Sequence, residues 1–223
     1  MKCLESCNLS GGVTSVVGSG GKTTLLAALA EELEGRGGTI LTTTTHILPF
    51  HGLPLVDGSD LGEIAQALSE ADTICAGLMG ADGKLTEPPA GIEALARLAR
   101  HVLVEADGSK RLPLKAHEPH EPVIPTCSAR TILVVGASGL MRPVSEAVHR
   151  PKRFCELAAC GEDDLATPER VARAIAAEGL ADRVIVNQVE SSESMALARR
   201  LAMGLDVPVF AGSIRKHELA RVG

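Results

Sequence analysis

The sequence almost lacks aromatic side chains, since its 223 residues include three phenylalanines and neither tyrosine nor tryptophan. Its core must therefore be built from leucine, valine, isoleucine and alanine, consistent with the 45% share of hydrophobic residues. Charged residues make up 22%, an ordinary fraction for a globular protein. From the length we interpret residues 1–223 as a single domain, with a charged, proline-rich loop at 107–125.

Other shortages exclude whole classes of function. A net charge of -6 and the scarcity of aromatic rings argue against a nucleic-acid binder, which presents a basic face and stacking platforms. No window reaches the roughly 18 apolar residues that a membrane span needs. The six cysteines form no C-x-x-C pair and are too few for a disulfide scaffold of this length, so we expect reduced thiols in a cytoplasmic protein. Cys155 and Cys160 could bind a metal, but buried cysteines on a helix are the more usual case.

Short β-branched runs alternate with longer stretches that are rich in alanine and leucine. The predicted strands are 13–17, 39–43, 73–76, 102–106, 131–135, 184–187 and 207–211. The predicted helices are 23–34, 61–69, 91–100, 168–178 and 192–203. This alternation predicts an α/β fold of the P-loop NTPase type, a mostly parallel sheet with helices on both faces in three layers. Ligands of such sheets bind at the carboxyl ends of the strands.

The first predicted strand runs into a phosphate-binding pattern, V-V-G-S-G-G-K-T-T at residues 16–24. The usual pattern, G-x-x-x-x-G-K-[ST], would place a glycine at Val16, where the strand continues; the glycine comes at Gly18 instead. We interpret the segment as a compact phosphate loop rather than an ordinary tight turn, because it joins a strand to a helix. Lys22 would reach the terminal phosphates and the Thr23 hydroxyl would bind Mg²⁺. The predicted nucleotide contacts in this loop are Gly18, Ser19, Gly20, Gly21, Lys22, Thr23 and Thr24.

Two further strands end in polar side chains. The strand at 39–43 exits into four threonines and His46, and Thr44 is a candidate Mg²⁺ ligand, although β propensity alone also explains threonines there. The strand at 102–106 carries Glu105 at its end, and Asp107 follows it directly. We expect one of these acids to hold Mg²⁺ and the other to orient an attacking water or hydroxyl; a solvated turn is the alternative.

The loop at 107–125 is basic next to this acidic pair. Lys110 and Arg111, with Lys115, are candidates for neutralising charge in a transition state or for holding a second, anionic ligand. His117 and His120 with nearby glutamates could bind a metal, although solvated side chains are the commoner reading of such a run.

Asn187 ends the strand at 184–187, where guanine-specific P-loop proteins carry N-K-x-D. Gln188 and Glu190 stand in place of the lysine and the acid, so we predict contact of Asn187 with the nucleotide but do not assign guanine. The predicted cofactors are Mg²⁺ and either ATP or GTP.

Several of these stretches together resemble the YqeC-like family. They are G-S-G-G-K-T-T-L-L at 18–26, T-T-T-T-H-I at 42–47, V-L-V-E-A-D-G-S-K-R-L-P-L-K-A at 102–116, H-E-P-V-I-P at 120–125 and V-H-R-P at 148–151. Members of that family are described as accessory proteins of selenium-dependent molybdenum hydroxylases, and the compact loop is their normal form. The resemblance implies a molybdopterin enzyme or its polyanionic cofactor as the client, which would suit the basic stretch at 110–115. The family's N-K-x-D segment is altered here at residues 188 and 190.

Three functions remain in competition. The leading hypothesis is an Mg²⁺-dependent nucleotide-binding protein, an NTPase, that assists maturation of a metal-cofactor enzyme. The second is a nucleotide-dependent kinase or ligase acting on a small anionic substrate. The third is a nucleotide-binding scaffold that does not hydrolyse its ligand. The sequence leaves open whether the protein forms a homodimer across the phosphate loop.

Overall fold

The computed structural model describes residues 1–223 and is built around one large sheet. The strands are β1 (Gly12–Gly18), β2 (Thr39–Thr43), β3 (Leu55–Val56), β4 (Thr73–Ala76), β5 (Leu78–Met79), β6 (Leu85–Thr86), β7 (His101–Glu105), β8 (Leu114–Lys115), β9 (Ser128–Gly136), β10 (Val148–His149), β11 (Arg183–Asn187), β12 (Val209–Ser213) and β13 (Glu218–Arg221). The helices are α1 (Cys3–Cys7), α2 (Lys22–Glu32), α3 (Leu61–Glu70), α4 (Ile92–Leu95), α5 (Val144–Ala147), α6 (Pro151–Ala158), α7 (Pro168–Glu178) and α8 (Ser192–Ala202).

The large sheet has nine strands in the order β13-β12-β11-β9-β1-β7-β2-β4-β3. All neighbours run parallel except β13, which lies antiparallel to β12 at one edge. A short parallel pair, β8 with β10, and a β5–β6 hairpin lie outside it. Because β7 lies between β1 and β2, the register places Val16, Thr43 and Glu105 at one level of the sheet. The strand ends that carry the predicted site therefore meet at one edge.

The sheet is covered on both faces, as parallel sheets generally are. Successive β1 residues alternate between two hydrophobic clusters: Val17 belongs to a cluster of 36 buried residues that includes α7 and α8, and Val16 to one of 21 that includes α1 and α2. Both clusters are mainly aliphatic, and the three phenylalanines of the chain, Phe50, Phe154 and Phe210, are all buried in them. The prediction of a three-layer α/β fold with a mostly parallel sheet is confirmed. None of the helices is both long and apolar enough to cross a lipid bilayer.

All seven predicted strands are present, with ends shifted by a few residues at most. Helix α7 begins and ends as predicted, with the Thr167 hydroxyl accepting a hydrogen bond from Arg170 N and Gly179 in a left-handed conformation at its end. The prediction of a helix over 91–100 was too long, since only Ile92–Leu95 is α-helical. The chain continues in tight turns that still bury Ala99, so the apolar spacing there reflects burial rather than a full helix.

Candidate functional site

The loop between β1 and α2 presents a row of unused backbone donors. Its first two N–H groups are bound to the protein: Gly18 N donates to Asp107 Oδ2 at 2.9 Å and Ser19 N to the Val134 carbonyl at 2.8 Å. The next five, on residues 20–24, donate to no acceptor within the chain. Such donors at a helix N-terminus attract anions, because the unsatisfied N–H groups carry partial positive charge. The loop therefore has the form of a phosphate cradle.

Asn187 determines the shape of this cradle from the end of β11. Its side-chain Nδ2 donates to the Gly20 carbonyl at 2.8 Å, and its Oδ1 accepts from Ile214 N at 3.0 Å. Gly21 has φ +136°, and a β-carbon there would overlap the Asn187 amide group. Asn187 thus braces the loop from behind, and it does not line the open cleft in front of the loop.

Lys22, the first residue of α2, folds back beneath the loop. Its side chain is 3% exposed, and its Nζ donates to the Gly18 carbonyl at 2.8 Å. The ammonium lies 3.2 Å from Asp107 Oδ1 and 3.7 Å from Glu105 Oε1. The structure thus brings the loop lysine and both predicted acids together. Lys22 also lines the cleft, together with the other four residues that carry free amides, Gly20, Gly21, Thr23 and Thr24.

Glu105 and Thr23 place two oxygen atoms that could bind a metal on the cleft wall. The Thr23 hydroxyl donates to Glu105 Oε2 at 2.8 Å. Burial raises the pKa of Glu105 even though Lys22 and Thr23 favour its charged form, so the site would gain from additional positive charge. A hydroxyl and a carboxylate are the hard oxygen ligands that Mg²⁺ prefers. These two residues therefore fit a magnesium ion.

Asp107 has a different environment from Glu105, because protein donors already surround its carboxylate. Besides Gly18 N, its Oδ2 lies 2.7 Å from His117 Nε2 and 3.1 Å from Lys115 Nζ. Burial alone would raise the pKa of Asp107, but the His117 hydrogen bond and the charges of Lys22 and Lys115 outweigh it and lower the pKa to about 2. Asp107 is 1% exposed and does not line the cleft. The geometry gives it a bracing position behind the phosphate loop.

His117 connects this carboxylate to helix α7. Its Nδ1 lies 2.9 Å from Glu178 Oε2, and its backbone N donates to Glu178 Oε1 at 2.6 Å. Burial opposes the charge on the ring, but the hydrogen bonds to Asp107 and Glu178 outweigh burial and raise the pKa of His117. His117 thus links the carboxylates of Asp107 and Glu178, and both of them favour its protonated form. The interpretation of His117 as a solvated residue was wrong, since it is 3% exposed and both of its ring nitrogens lie against carboxylates.

We expect His117→Ala to change how stability depends on pH. Because the folded-state pKa of His117 lies above its ordinary 6.5, its stabilisation is complete below that pH and is lost as the pH rises through the folded-state value. Asp107 titrates far below this window and does not contribute to the trend. The wild type should therefore exceed His117→Ala in free energy of unfolding by more at about pH 5.5 than at about pH 8.5. Urea denaturation at both pH values measures the difference.

His120→Ala is the matched control, because His120 is exposed in the same loop and makes no hydrogen bond. It should follow the wild type at both pH values. A difference between wild type and His117→Ala that stays constant with pH would contradict the proposed charge on His117.

Of the remaining predicted residues, two line the cleft and two are bound to other parts of the protein. Lys110 and Arg111 line the cleft, where neither forms an ion pair, and both have left-handed backbone angles of +49° and +62°. Thr44 does not line the cleft, and its hydroxyl donates to the Val123 carbonyl at 2.6 Å. Lys115, predicted to hold an anionic ligand, has a side chain with 0% exposure that pairs with Asp107 and with Glu121 at 3.1 Å each. Its ammonium is therefore already paired with carboxylates inside the protein.

His149 and Arg150 line the same cleft, although sequence reasoning did not select them as site residues. They reach it because β10 pairs with β8, which places His149 opposite Lys115. The only signal in the sequence was the V-H-R-P stretch, and its importance depends on a pairing between segments more than thirty residues apart. The whole cleft measures about 1760 Å³ and extends from the phosphate loop to the segment 46–54.

Comparison with known proteins identifies the family. A family model described as "YqeC protein" matches residues 14–152, which include the phosphate loop, Glu105, Asp107 and Arg150. The chain belongs to the YqeC family. Within it, the protein "Uncharacterized protein YqeC" of Escherichia coli (strain K12) is 41% identical over 153 residues, covering 65% of this chain and 60% of the relative. The match thus spans less than two thirds of that YqeC protein.

A solved structure gives a weaker likeness. The signal recognition particle 54 kDa protein of Aeropyrum pernix K1, crystallised in complex with GDP, aligns with 99% of this chain and 46% of its own. The TM-score is 0.42 at 16% sequence identity.

Asn187, Gln188 and Glu190 lie outside the part that the YqeC family model matches.

Proposed function

We propose that this YqeC family member binds a nucleoside triphosphate together with Mg²⁺ and hydrolyses it. The observation that carries the proposal is the row of five free amides, on residues 20–24, in one cleft with the buried Lys22. A polyphosphate there would receive hydrogen bonds from the backbone and a charge-assisted contact from Lys22. The ammonium is already held by the Gly18 carbonyl and Asp107, so little side-chain ordering would be needed on binding.

Thr23 and Glu105 would hold the Mg²⁺, which when bound supplies charge neutralisation between phosphate oxygens. Of the two acids predicted for this role, Glu105 lines the cleft, whereas the oxygens of Asp107 face protein donors. We therefore assign Glu105 to metal binding or to orienting the attacking water. Asp107 would position the loop through Gly18 N and hold Lys22.

Lys110 and Arg111 would compensate the charge that develops on the phosphate during hydrolysis. Both side chains are free of ion pairs and border the cleft next to Lys22. Preorganised positive groups facing the developing charge are a large source of rate enhancement in phosphoryl transfer.

The base of the nucleotide, ATP or GTP, is a separate question. In guanine-specific P-loop proteins an acid at the Glu190 position binds the base, but Glu190 here does not line the large cleft. It lies in a smaller pocket of about 490 Å³ with Ser213 and Lys216. The lining of the two pockets therefore does not assign the base. Thermal-shift measurements with a panel of nucleotides, with and without Mg²⁺, would decide the base.

We further propose that the nucleotide cycle serves the maturation of a selenium-dependent molybdenum hydroxylase. Membership of the YqeC family supports this role, and the client would be the enzyme or its molybdopterin cofactor. The test is nucleotide turnover measured with and without the apo-hydroxylase. A higher turnover rate in the presence of the apo-hydroxylase supports an accessory function, and an unchanged rate would count against this role.

Glu105→Gln tests the metal assignment. We expect Mg²⁺ to add little nucleotide affinity in this variant, because an amide replaces the anionic ligand, whereas nucleotide binding without Mg²⁺ should persist. In the wild type, a nucleotide at 100 times its dissociation constant should raise the free energy of unfolding by about 2.7 kcal/mol. Comparison of thermal shifts with Mg²⁺ and with EDTA gives the measurement.

The matched control is Glu63→Gln, an exposed acid on α3 outside the cleft. It should retain the full effect of Mg²⁺. An undiminished Mg²⁺ effect in Glu105→Gln would remove Glu105 from the metal site.

A further inference from the structure

The cleft is larger than a nucleotide needs. Pockets for single small ligands usually measure about 300–1,000 Å³, whereas this cleft measures about 1760 Å³. The phosphate loop and α2 form one part of its wall, and Lys110, Arg111, His149 and Arg150 form another. The cleft thus has room for a second ligand near the phosphates.

Arg150 is connected to the phosphate loop by a chain of ion pairs. Lys22 pairs with Asp107, Asp107 with Lys115, Lys115 with Glu121, and Glu121 with Arg150 at 2.9 Å. Each link measures 3.2 Å or less. The carboxylate of Glu121 fixes one end of the guanidinium, and the side chain as a whole remains 35% exposed. Arg150 is therefore held in place close to the proposed nucleotide site, and the N–H groups that do not contact Glu121 remain available to a ligand.

His149 adds a second observation beside it. The residue is 8% exposed, and its Nδ1 has no hydrogen-bond partner within the protein. The same is true of Arg150 Nε. Both atoms are themselves buried, so a ligand in the cleft would meet the exposed 35% of the Arg150 side chain, with the His149 ring lining the wall beside it.

The sign of the charge around His149 indicates what that partner is. Burial lowers the pKa of His149, and the positive charges of Lys115 and Arg150 lower it further. Lys110 contributes in the same direction, and Glu121 alone among the nearby groups opposes it. The surroundings of the ring are therefore electropositive, which favours an anion.

We propose that Arg150 and His149 form a subsite for a second, anionic ligand, a small molecule carrying a phosphate or carboxylate group, bound beside the nucleotide. The planar guanidinium matches such groups, because its N–H donors can bind two oxygens at once. Lys110 and Arg111 border the same part of the cleft and add charge without ion-pair partners of their own. The subsite rests on the proposed function, since it is defined next to a bound nucleotide.

The test uses protein saturated with Mg²⁺ and a non-hydrolysable nucleotide analogue, so that the phosphate loop is filled. Inorganic phosphate and malonate are then titrated separately by isothermal calorimetry, and the tighter of the two indicates whether the natural ligand carries phosphate or carboxylate. Arg150→Gln should weaken binding of that anion by about tenfold or more, the amount expected for one lost charge-assisted hydrogen-bond pair. Arg142→Gln is the control, because Arg142 is an arginine outside the cleft with a single surface ion pair.

The outcomes separate the subsite from the proposed function. If the wild type binds no nucleotide analogue, the proposed function fails. If it binds the analogue but neither anion, or if Arg150→Gln binds the anion as well as the wild type does, the subsite is overturned. Should Arg150→Gln fail to fold after losing its pair with Glu121, Arg150→Lys replaces it in the test. This variant keeps the positive charge but lacks the planar guanidinium that can bind two oxygens at once. Weaker anion binding by Arg150→Lys then supports the subsite, and unchanged binding overturns it.

Discussion

Lys22→Ala is expected to lower nucleotide affinity by about 10- to 100-fold, because a hydrogen bond to a charged group contributes about 1.5–3 kcal/mol and each 1.4 kcal/mol is a factor of ten. The lysine ammonium is held by the Gly18 carbonyl and Asp107, and its loss removes a buried positive charge from a residue that lines the cleft. Titration with a fluorescent nucleotide analogue in the presence of Mg²⁺ measures the change. Turnover should fall at least as much, since the same charge would stabilise the transferring phosphate.

Loss of the fold would imitate this result, so stability must be measured on the same sample. Asp107 keeps His117 and Lys115 as partners when Lys22 is removed, and we therefore expect the variant to remain folded. Lys84→Ala provides a matched control, because Lys84 also lines the cleft but is 46% exposed and pairs only with Asp82. Equal nucleotide affinity of Lys22→Ala and Lys84→Ala in folded protein would show that Lys22 does not contact the phosphates.

Much of the fold could be predicted because its signals are local. The seven principal strands are short β-branched runs, and α7 carries its own start and stop at Thr167 and Gly179. The phosphate loop is also local, since residues 18–24 follow one another directly in the chain. The strands β8 and β10 were missed because each has only two residues and neither exists without the other.

The role of Asp107 could not be predicted, because its environment depends on how the loop at 107–125 folds back on it and on helix α7. The sequence shows two acids near one strand end and gives no reason to distinguish them. The difference arises from Lys115, from His117 and from Glu178, which is 61 positions beyond His117. These contacts turn Asp107 away from the cleft and leave Glu105 on its wall. The same folding of the loop buries Lys115 against Asp107 and Glu121, although its charge in the sequence suggested a ligand contact.

Gly20→Ala is the second substitution from which we expect a large effect. Gly20 has φ +85°, and a β-carbon there would penetrate the backbone of Gly136, the last residue of β9. A left-handed conformation costs an alanine about 1–2 kcal/mol, and forced overlap in a packed region adds about 1–3 kcal/mol. We expect Gly20→Ala to lower the free energy of unfolding by the sum of the two costs. The loop would also be displaced from Gly136, so nucleotide affinity should fall with stability.

Gly35→Ala separates the two costs, because Gly35 has φ +73° but nothing lies within 4 Å of a β-carbon built there. It should lose only the conformational part, about 1–2 kcal/mol, and should keep the nucleotide affinity of the wild type. Urea denaturation of both variants gives the free energies, and the difference between them is the cost of separating Gly20 from Gly136. If the two variants were equally stable and bound nucleotide equally well, the close contact between β9 and the loop would not constrain the phosphate cradle. A lower affinity confined to Gly20→Ala would instead show that the compact loop depends on a glycine at its centre, where the backbone of a neighbouring strand leaves no space for a side chain.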